Sequence, residues 1–452
     1  MIQPACRPAR LLALLALLLL GLAPQAALAV PSFARQTGLP CATCHTTSFG
    51  PGLTPAGQDF KLNGYVMSDG QSGLPPLAAM LISSFTNTRS GQDGGAAPHF
   101  SPNDNPAVDQ TSLFYAGRIL DHLGAFVQVT YDGIAQRLAW DNFDLRYADK
   151  AHIGGTGLVW GLSLNNSPTV QDLWNTTPAW SYPYVASGLA PTPAAAPVIE
   201  GALAQTVYGL TAYSLIDEHL YLEGGAYRSL PDRVLSMVGA GAGAVSPFHG
   251  LAPYWRVALK GQRGAGYGSI GVFGIDLHQY PGGDRSAGTD HYTDLGFDAS
   301  YGAVRGSHGL LLQATQVHEL QKLDASFALG GVGLAANQLN TTWLNAQYTF
   351  RQSYAFSTAW FRISGGSDPV LYAPDAISGS ASGSPDSRGY ILQAEYIPFG
   401  KATSLLRPYL NARLGLQYTW YTEFNGGGAD YDGSGRNAHD NNTLFLFAWF
   451  AI

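Results

Sequence analysis

Beyond about residue 76 the chain repeats one kind of segment, in which apolar and polar residues alternate over roughly ten positions. The segments are rich in Tyr, Phe, Trp, Val and Leu and are bounded by Gly, Asn, Asp and Pro, which is typical of β-strands. In residues 410–420, for example, Leu414 and Tyr418 fall on one side and Arg413 and Gln417 on the other. Strands of a soluble sandwich are usually shorter. The alternation therefore indicates strands that cross a membrane.

Sixteen such segments follow one another, and an even number lets both chain ends lie on the same side of an outer-membrane barrel. The last of them, 443–452, ends the chain and is predicted to close the ring by pairing with the first, near 77–88. The predicted fold is all-β: a transmembrane antiparallel β-barrel of about 16 strands over residues 77–452. The predicted strands start near residues 77, 111, 122, 138, 156, 201, 218, 252, 266, 291, 307, 341, 354, 388, 408 and 443.

The connections between these segments alternate in length, as they do in bacterial outer-membrane barrels with short periplasmic turns and long outer loops. Connections after even-numbered segments are short, and those after odd-numbered segments are long and rich in Gly, Pro or polar residues, with one short exception at 133–137. Strand alternation also predicts which polar side chains face the lumen. They are Gln128, Asp132, Asn142, Asp144, Arg146, Asn345, Gln347, Gln393 and Glu395.

The N-terminus has the three parts of a secretory signal: Arg7 and Arg10, an apolar run over 11–23, and the small residues of 27–29. We predict a signal peptide over residues 1–29 that is cleaved on export. The alternative is an N-terminal membrane anchor, but the apolar run is too short to cross a bilayer. The formal net charge of −7 argues against nucleic acid as a partner.

Cysteine usage points to chemistry rather than to disulfide stapling. The chain has three cysteines, and the predicted cleavage removes Cys6. Cys41 and Cys44 remain, and a pair this closely spaced is no disulfide framework for so long a chain. Both lie in residues 30–76, a segment between signal and barrel that is too short to build a sizeable core of its own.

Residues 41–45 read Cys-Ala-Thr-Cys-His, the attachment motif of a c-type haem. In this motif each thiol bonds one haem vinyl group and the following histidine ligates the iron, so we predict one covalent haem c on Cys41 and Cys44 with His45 as proximal ligand. A redox pair would need no adjacent His and normally lies in a thioredoxin-like βαβ unit. A zinc site would need four protein ligands, and no second Cys or His pair stands nearby.

The distal iron ligand is left open between two methionines and a ligand other than methionine. Low-spin electron-transfer haems use Met or His at this position, and Met raises the reduction potential. Met67 and Met80 are the methionines near the haem motif. Met80 follows Pro76 at the start of the first strand, where a barrel wall would hold it rigidly, so we prefer Met80 and keep Met67 as the second choice. Either can instead be ordinary apolar packing.

Several motifs resemble one family. Residues 31–38 (Pro-Ser-Phe-Ala-Arg-Gln-Thr-Gly), the haem motif, 53–55 and 60–65 resemble the start of the fused cytochrome-porins found in the outer membrane of iron-oxidising bacteria. Residues 75–80, 112–118, 140–147 and 441–444 look similar to that family too, so the resemblance spans the mature chain. It implies a haem module that plugs or caps the barrel and takes electrons from an extracellular donor, Fe(II) in characterised members, to periplasmic carriers.

Two functions of different classes follow as expectations. The first is outer-membrane electron transfer by the haem, from extracellular Fe(II) or another reduced donor to a soluble cytochrome c or cupredoxin in the periplasm. A bilayer core about 30 Å thick is too wide for one fast electron hop, so a single haem has to sit in or at the lumen. The second is a diffusion porin whose haem is a structural plug or a sensor. Peroxide or ligand chemistry is a third option and needs a vacant sixth position on the iron.

Overall fold

A computed structural model describes residues 32–70, 76–241, 246–406 and 409–452. The predicted signal peptide, 1–29, lies outside these residues. None of the described helices has the length and apolar character needed to cross a membrane. The helices are α1 Ser32–Thr37, α2 Cys41–Cys44, α3 Pro55–Leu62, α4 Asp232–Met237 and α5 Asp324–Ala328.

The strands are β1 Leu77–Thr88, β2 Asn105–Leu120, β3 Leu123–Asp132, β4 Arg137–Ile153, β5 Thr156–Asn165, β6 Val207–Ile216, β7 Leu220–Ser229, β8 Ala252–Arg263, β9 Gly266–Gln279, β10 Asp290–Arg305, β11 His308–Lys322, β12 Ala336–Phe350, β13 Tyr354–Gly365, β14 Ser387–Tyr396, β15 Asn411–Glu423 and β16 Thr443–Ala451. Each strand pairs antiparallel with its neighbours in sequence. β1 also pairs with β16, from Met80 opposite Ala451 to Thr88 opposite Thr443. The described chain is therefore a closed barrel of 16 strands, as predicted.

The strands alternate between a polar interior and an apolar exterior. In β15, Arg413 and Gln417 are buried while Leu414 and Leu416 are exposed. The exposed apolar side chains form a belt around the barrel, the kind of surface that a bilayer covers. Members of the belt include Leu113, Leu210, Ile270, Leu295, Leu312, Leu344, Phe356, Leu392 and Leu416.

The predicted lumen residues lie on the inner side. Gln128, Asp144, Arg146, Gln347, Gln393 and Glu395 are buried. Asn142 donates a hydrogen bond to Gln128, and Asn345 donates one to Gln313. Asp132, at the end of β3, accepts hydrogen bonds from the backbone of residues 134 and 135.

Several predicted strand starts were wrong. β2 begins at Asn105 rather than 111 and β12 at Ala336 rather than 341, because strands continue past the apolar belt, where alternation no longer marks them. β6 begins at Val207 rather than 201. Residues 198–202 form a helical turn instead, with Gly201 at φ 108°. β15 begins at Asn411 rather than 408, and the connection before it is longer than the other even-numbered turns.

The long connection between β5 and β6 folds into the barrel rather than away from it. We call residues 166–206 the inward loop. Its Thr176 donates to Asp298 of β10 (2.6 Å) and its Asn175 carbonyl accepts from Gln313 of β11 (2.9 Å), so it reaches across the lumen to a part of the wall several strands away. Thr315 of β11 donates to the Thr176 carbonyl (2.6 Å). The inward loop therefore narrows the lumen.

Candidate functional site: a lumen cavity beside the Cys-x-x-Cys-His motif

Residues 32–70, which we call the plug, lie inside the barrel and form hydrogen bonds with strands around its circumference. Arg146 of β4 donates to the Lys61 carbonyl (2.8 Å) and Tyr213 of β6 to the Leu62 carbonyl (2.7 Å). Tyr267 of β9 donates to the Leu53 carbonyl (3.2 Å). On the far side, Arg413 of β15 donates to the Phe49 carbonyl (3.1 Å). Side chains of the barrel wall therefore hold the plug in place.

The plug lies at the end of the barrel that carries the short turns. The Gln352 side chain, in the β12–β13 turn, donates to the Ala42 carbonyl (2.9 Å). The Ala42 amide in turn donates to the carbonyl of Gly400 (3.1 Å), in the β14–β15 connection. Ser48 donates to the Ile397 carbonyl of that connection (3.1 Å). The extra length of this connection is thus used to hold the residues around the two cysteines.

Local sequence explains how the motif is presented. Cys41 and Cys44 stand three residues apart in the single turn of α2, which puts both thiols on the same side of the helix. Thr54 caps α3 through the amide of Gly57 and donates to the Thr43 carbonyl (2.6 Å), so it joins the two helices. A Cβ atom on Gly57 would lie 2.3 Å from the Cys44 carbonyl oxygen. The close packing of α3 against α2 therefore requires glycine at this position.

Cys41, Cys44, His45 and Met80 all line one cavity of about 400 Å³ between the plug, the inward loop and the wall formed by β16 and β1–β4. Met80 is 7% exposed and points into the lumen from β1, whereas Met67 is 42% exposed and does not line this cavity. The structure thus brings three of the predicted site residues together with Met80 and leaves Met67 outside. The remaining lining includes nine aromatic residues, Phe33, Phe49, Phe60, Tyr65, Phe114, Phe126, Trp180, Tyr184 and Trp449, together with polar side chains of β2–β4 such as Gln110, Gln128 and Asn142.

His45 has the properties of a metal ligand. Its Nδ1 is buried and makes no hydrogen bond of good geometry to the described residues, although the backbone of Gly50 and Gly52 lies close to the ring. Burial, opposed in part by the backbone of Gly52 and Gly50, lowers the pKa of His45 to about 4. The imidazole is therefore neutral at physiological pH, which is the form that binds iron.

The Cys44 thiol does not have the lowered pKa of a reactive redox cysteine. Burial, together with the neighbouring Cys41, raises the pKa of the Cys44 thiol to about 11. Reactive Cys-x-x-Cys motifs have lowered pKa values because the thiolate is the nucleophile. Within the described residues, Cys41 and Cys44 also belong to no group of three metal-binding side chains whose ligand atoms lie within 4.8 Å of one another. Two thiols, a neutral imidazole, a thioether and an apolar cavity fit a c-type haem better than they fit zinc or a disulfide.

Buried ionisable side chains lie at the cavity and behind the plug. Lys61 is 6% exposed, donates to the Val170 carbonyl and to Asn175 (both 2.9 Å), and lies 4.4 Å from the centre of the Trp180 ring. Behind the plug, Arg146 pairs with Asp144 (2.6 Å), which also accepts from the Tyr65 hydroxyl (2.7 Å).

Sequence reasoning missed Lys61, Trp180 and Tyr184 as site residues. Lys61 lies in the 60–65 stretch and Trp180 in the aromatic stretch 180–184 of a long loop. Aromatic residues within a Gly- and Pro-rich loop were the available signal that this loop is packed rather than solvated.

No protein-family model matches the sequence, and no curated protein matches it. Solved porin structures are similar in outline. OmpF of Salmonella typhi in complex with daunomycin is 13% identical, with a TM-score of 0.49, and the match covers 83% of this chain and 97% of that one. An anion-selective porin from Comamonas acidovorans is 12% identical (TM-score 0.44, 83% and 98% covered). OmpT of Vibrio cholerae is 9% identical (TM-score 0.41, 83% and 96% covered).

Proposed function

We propose that this chain is an outer-membrane electron-transfer protein with one covalent haem c in the lumen cavity. Cys41 and Cys44 would hold the haem through thioether bonds, His45 would be its proximal iron ligand and Met80 its distal ligand. The observation that carries the proposal is that these four side chains line one cavity. When bound, such a haem supplies an iron that alternates between Fe(III) and Fe(II).

The residues around the cavity would set the properties of the site. The aromatic lining excludes water, and a thioether ligand in an apolar pocket favours the reduced iron and raises the reduction potential. Phe33 stacks on Tyr65 (5.5 Å between ring centres) and meets Phe60 edge-on (4.9 Å), so the plug contributes a rigid wall. The residues would therefore bind, orient and shield the cofactor, and no substrate bond is made or broken.

The position of the plug suggests the direction of transfer. Its contacts with the β12–β13 turn and the β14–β15 connection put the motif near the end with short turns, which faces the periplasm in bacterial outer-membrane barrels. A periplasmic cytochrome c or cupredoxin would accept the electron there. The donor would come from the end with long loops, and with Fe(II) as donor the protein would be an Fe(II) oxidase.

Stopped-flow visible spectroscopy tests the donor. The purified, oxidised protein is mixed anaerobically with Fe(II), and growth of the α band of the reduced haem is followed. The matched control is the double variant Cys41→Ser/Cys44→Ser, which has no attachment point. Rapid reduction of the wild type supports Fe(II) oxidation. Full reduction by dithionite with none by Fe(II) would refute Fe(II) as the donor.

A second candidate is a diffusion porin whose haem is a structural element that blocks the lumen or a sensor. The barrel favours this candidate, because barrels of 16 to 18 strands enclose an aqueous channel in porins. The plug and the inward loop both lie in this lumen and form hydrogen bonds with its wall. Single-channel conductance in planar bilayers separates the two functions. Electron transfer predicts a low conductance and a redox-active haem, whereas an open porin-like channel with a redox-silent haem would support the second candidate.

A further inference from the structure

A cluster of two histidines and one aspartate lies on the outside of the barrel, away from the lumen cavity. Asp276 and His278 lie on the outward side of β9, the side that also carries Ile270 and Val272. His291 lies on the outward side of β10, four residues before Leu295 on that same side. All three are at the strand ends next to the 280–289 loop. The cluster therefore stands just beyond the apolar belt, at the rim that carries the long loops.

Strand pairing fixes the three side chains relative to one another. His291 pairs directly with His278, and Thr293 pairs with Asp276. The imidazole rings are nearly parallel (7°), with their centres 4.1 Å apart. Because the scaffold is two hydrogen-bonded strands rather than a loop, the side chains start from defined positions.

The donor atoms converge. The Asp276 Oδ2 atom is 2.8 Å from His291 Nε2, and the potential ligand atoms of Asp276, His278 and His291 all lie within 4.8 Å of one another. Within the described part of the chain, no other trio of His, Cys, Asp or Glu meets this spacing. Thr293 donates a hydrogen bond to Asp276 Oδ2 (2.7 Å), which orients the carboxylate in the way that outer-sphere partners orient metal ligands.

We propose that Asp276, His278 and His291 bind a divalent transition-metal ion at the outer rim of the barrel. Two imidazole nitrogens and one carboxylate oxygen suit Zn(II), Fe(II), Ni(II) or Cu(II), whereas Ca(II) and Mg(II) prefer oxygen ligands alone. Binding would replace the contact between Asp276 and His291 with metal bonds and leave further positions to water, since the Asp276 side chain is 43% exposed. The site is separate from the lumen cavity and does not depend on the proposed function.

Lys322 is the charge that opposes binding. It pairs with His291 across β10 and β11 and is exposed on the same outward side. A cation beside the site repels a metal ion, so removal of this charge should tighten binding. Lys322→Gln is therefore expected to raise the metal affinity, whereas loss of a ligand lowers it.

Isothermal titration of the full-length barrel in detergent with Zn(II) tests the proposal, with Ca(II) as the comparison ion. We expect one Zn(II) per chain at this site, at least tenfold weaker affinity in His278→Ala and in His291→Ala, and a tenfold or greater loss in Thr293→Val. Lys322→Gln should bind more tightly than the wild type. His308→Ala, which removes a histidine at the opposite end of β11, is the matched control and should bind as the wild type does.

Folding of each variant is checked by its heat-modifiable mobility on gels, so that loss of the barrel is not mistaken for loss of a ligand. The proposal is overturned if His278→Ala and His291→Ala, both folded, bind Zn(II) as the wild type does. It is also overturned if the wild type binds no Zn(II), or if Ca(II) binds with equal affinity.

Discussion

Replacement of Arg146 by methionine is expected to favour undocking of the plug from the barrel lumen. Arg146 is fully buried, pairs with Asp144 (2.6 Å), and donates to the carbonyl groups of Lys61 (2.8 Å) and Gln171 (2.9 Å). Its guanidinium also lies 5.1 Å from the centre of the Tyr65 ring. One side chain thus joins the plug, the inward loop and β4.

The magnitude follows from the carboxylate that remains. In Arg146→Met, Asp144 keeps its hydrogen bonds from Tyr65 and Ser163 but loses its ion-pair partner, and Lys61 is then the cation that still acts on it electrostatically. Removal of one partner of a buried ion pair costs about 3–5 kcal/mol. Asp144 is hydrated again when the plug leaves the lumen. Most of this free-energy cost therefore destabilises the docked state. The equilibrium for undocking should therefore rise by roughly 100-fold or more, at about 1.4 kcal/mol per factor of ten.

Trypsin cleavage at Lys61 measures undocking, because this residue is buried while the plug is in place. Where docking is fast relative to cleavage, the cleavage rate follows the undocked population. Arg388→Met is the matched control, since Arg388 pairs with Glu423 at the exposed rim (3.1 Å) and such pairs contribute about 0–1 kcal/mol. The double variant Arg146→Met/Asp144→Asn should recover part of the loss. A cleavage rate in Arg146→Met within about threefold of the control would refute the reasoning, since 3 kcal/mol requires far more.

Three further predictions concern the cavity. Met80→Leu should abolish the Met-to-iron charge-transfer band and lower the reduction potential, while Met67→Leu should change neither, as measured by visible spectroscopy and redox titration. Gly57→Ala should reduce covalent haem content, measured by haem stain per unit protein, because its Cβ would collide with the carbonyl of the second cysteine, whereas Gly155→Ala, which meets nothing within 4 Å, should not. Replacement of residues 168–200 by a short turn should raise the single-channel conductance well above that of the wild type, and an unchanged value would show that the inward loop does not obstruct the lumen.

The barrel could be predicted because alternation is a local signal that each strand repeats. Leu414, Leu416 and Tyr418 face lipid, and Arg413 and Gln417 face the lumen. This alternation of apolar and polar residues, with a period of two, is enough to identify the strand from the sequence. Strand ends beyond the lipid carry no such signal. This is why the starts at Asn105 and Ala336 were placed too late.

The Cys-x-x-Cys-His motif can be recognised in the sequence because a c-type haem would impose this spacing on its ligands. The structure brings Met80 rather than Met67 to the cavity that this motif lines. The fold of the inward loop could not be read from the sequence. Its path depends on side chains far away in the chain, such as Thr315 of β11, which donates to the Thr176 carbonyl. The same holds for Arg413, whose contact with the Phe49 carbonyl spans most of the chain.

The central claim is that the lumen cavity holds a covalent haem on Cys41 and Cys44. It is tested most directly by the visible spectrum and the intact mass of the protein purified from an exporting host that matures c-type cytochromes. We predict a c-type spectrum and a mass increased by one haem, with both lost in Cys41→Ser/Cys44→Ser while the barrel still folds. Wild-type protein that folds in such a host without any haem in its spectrum or its mass would contradict the account.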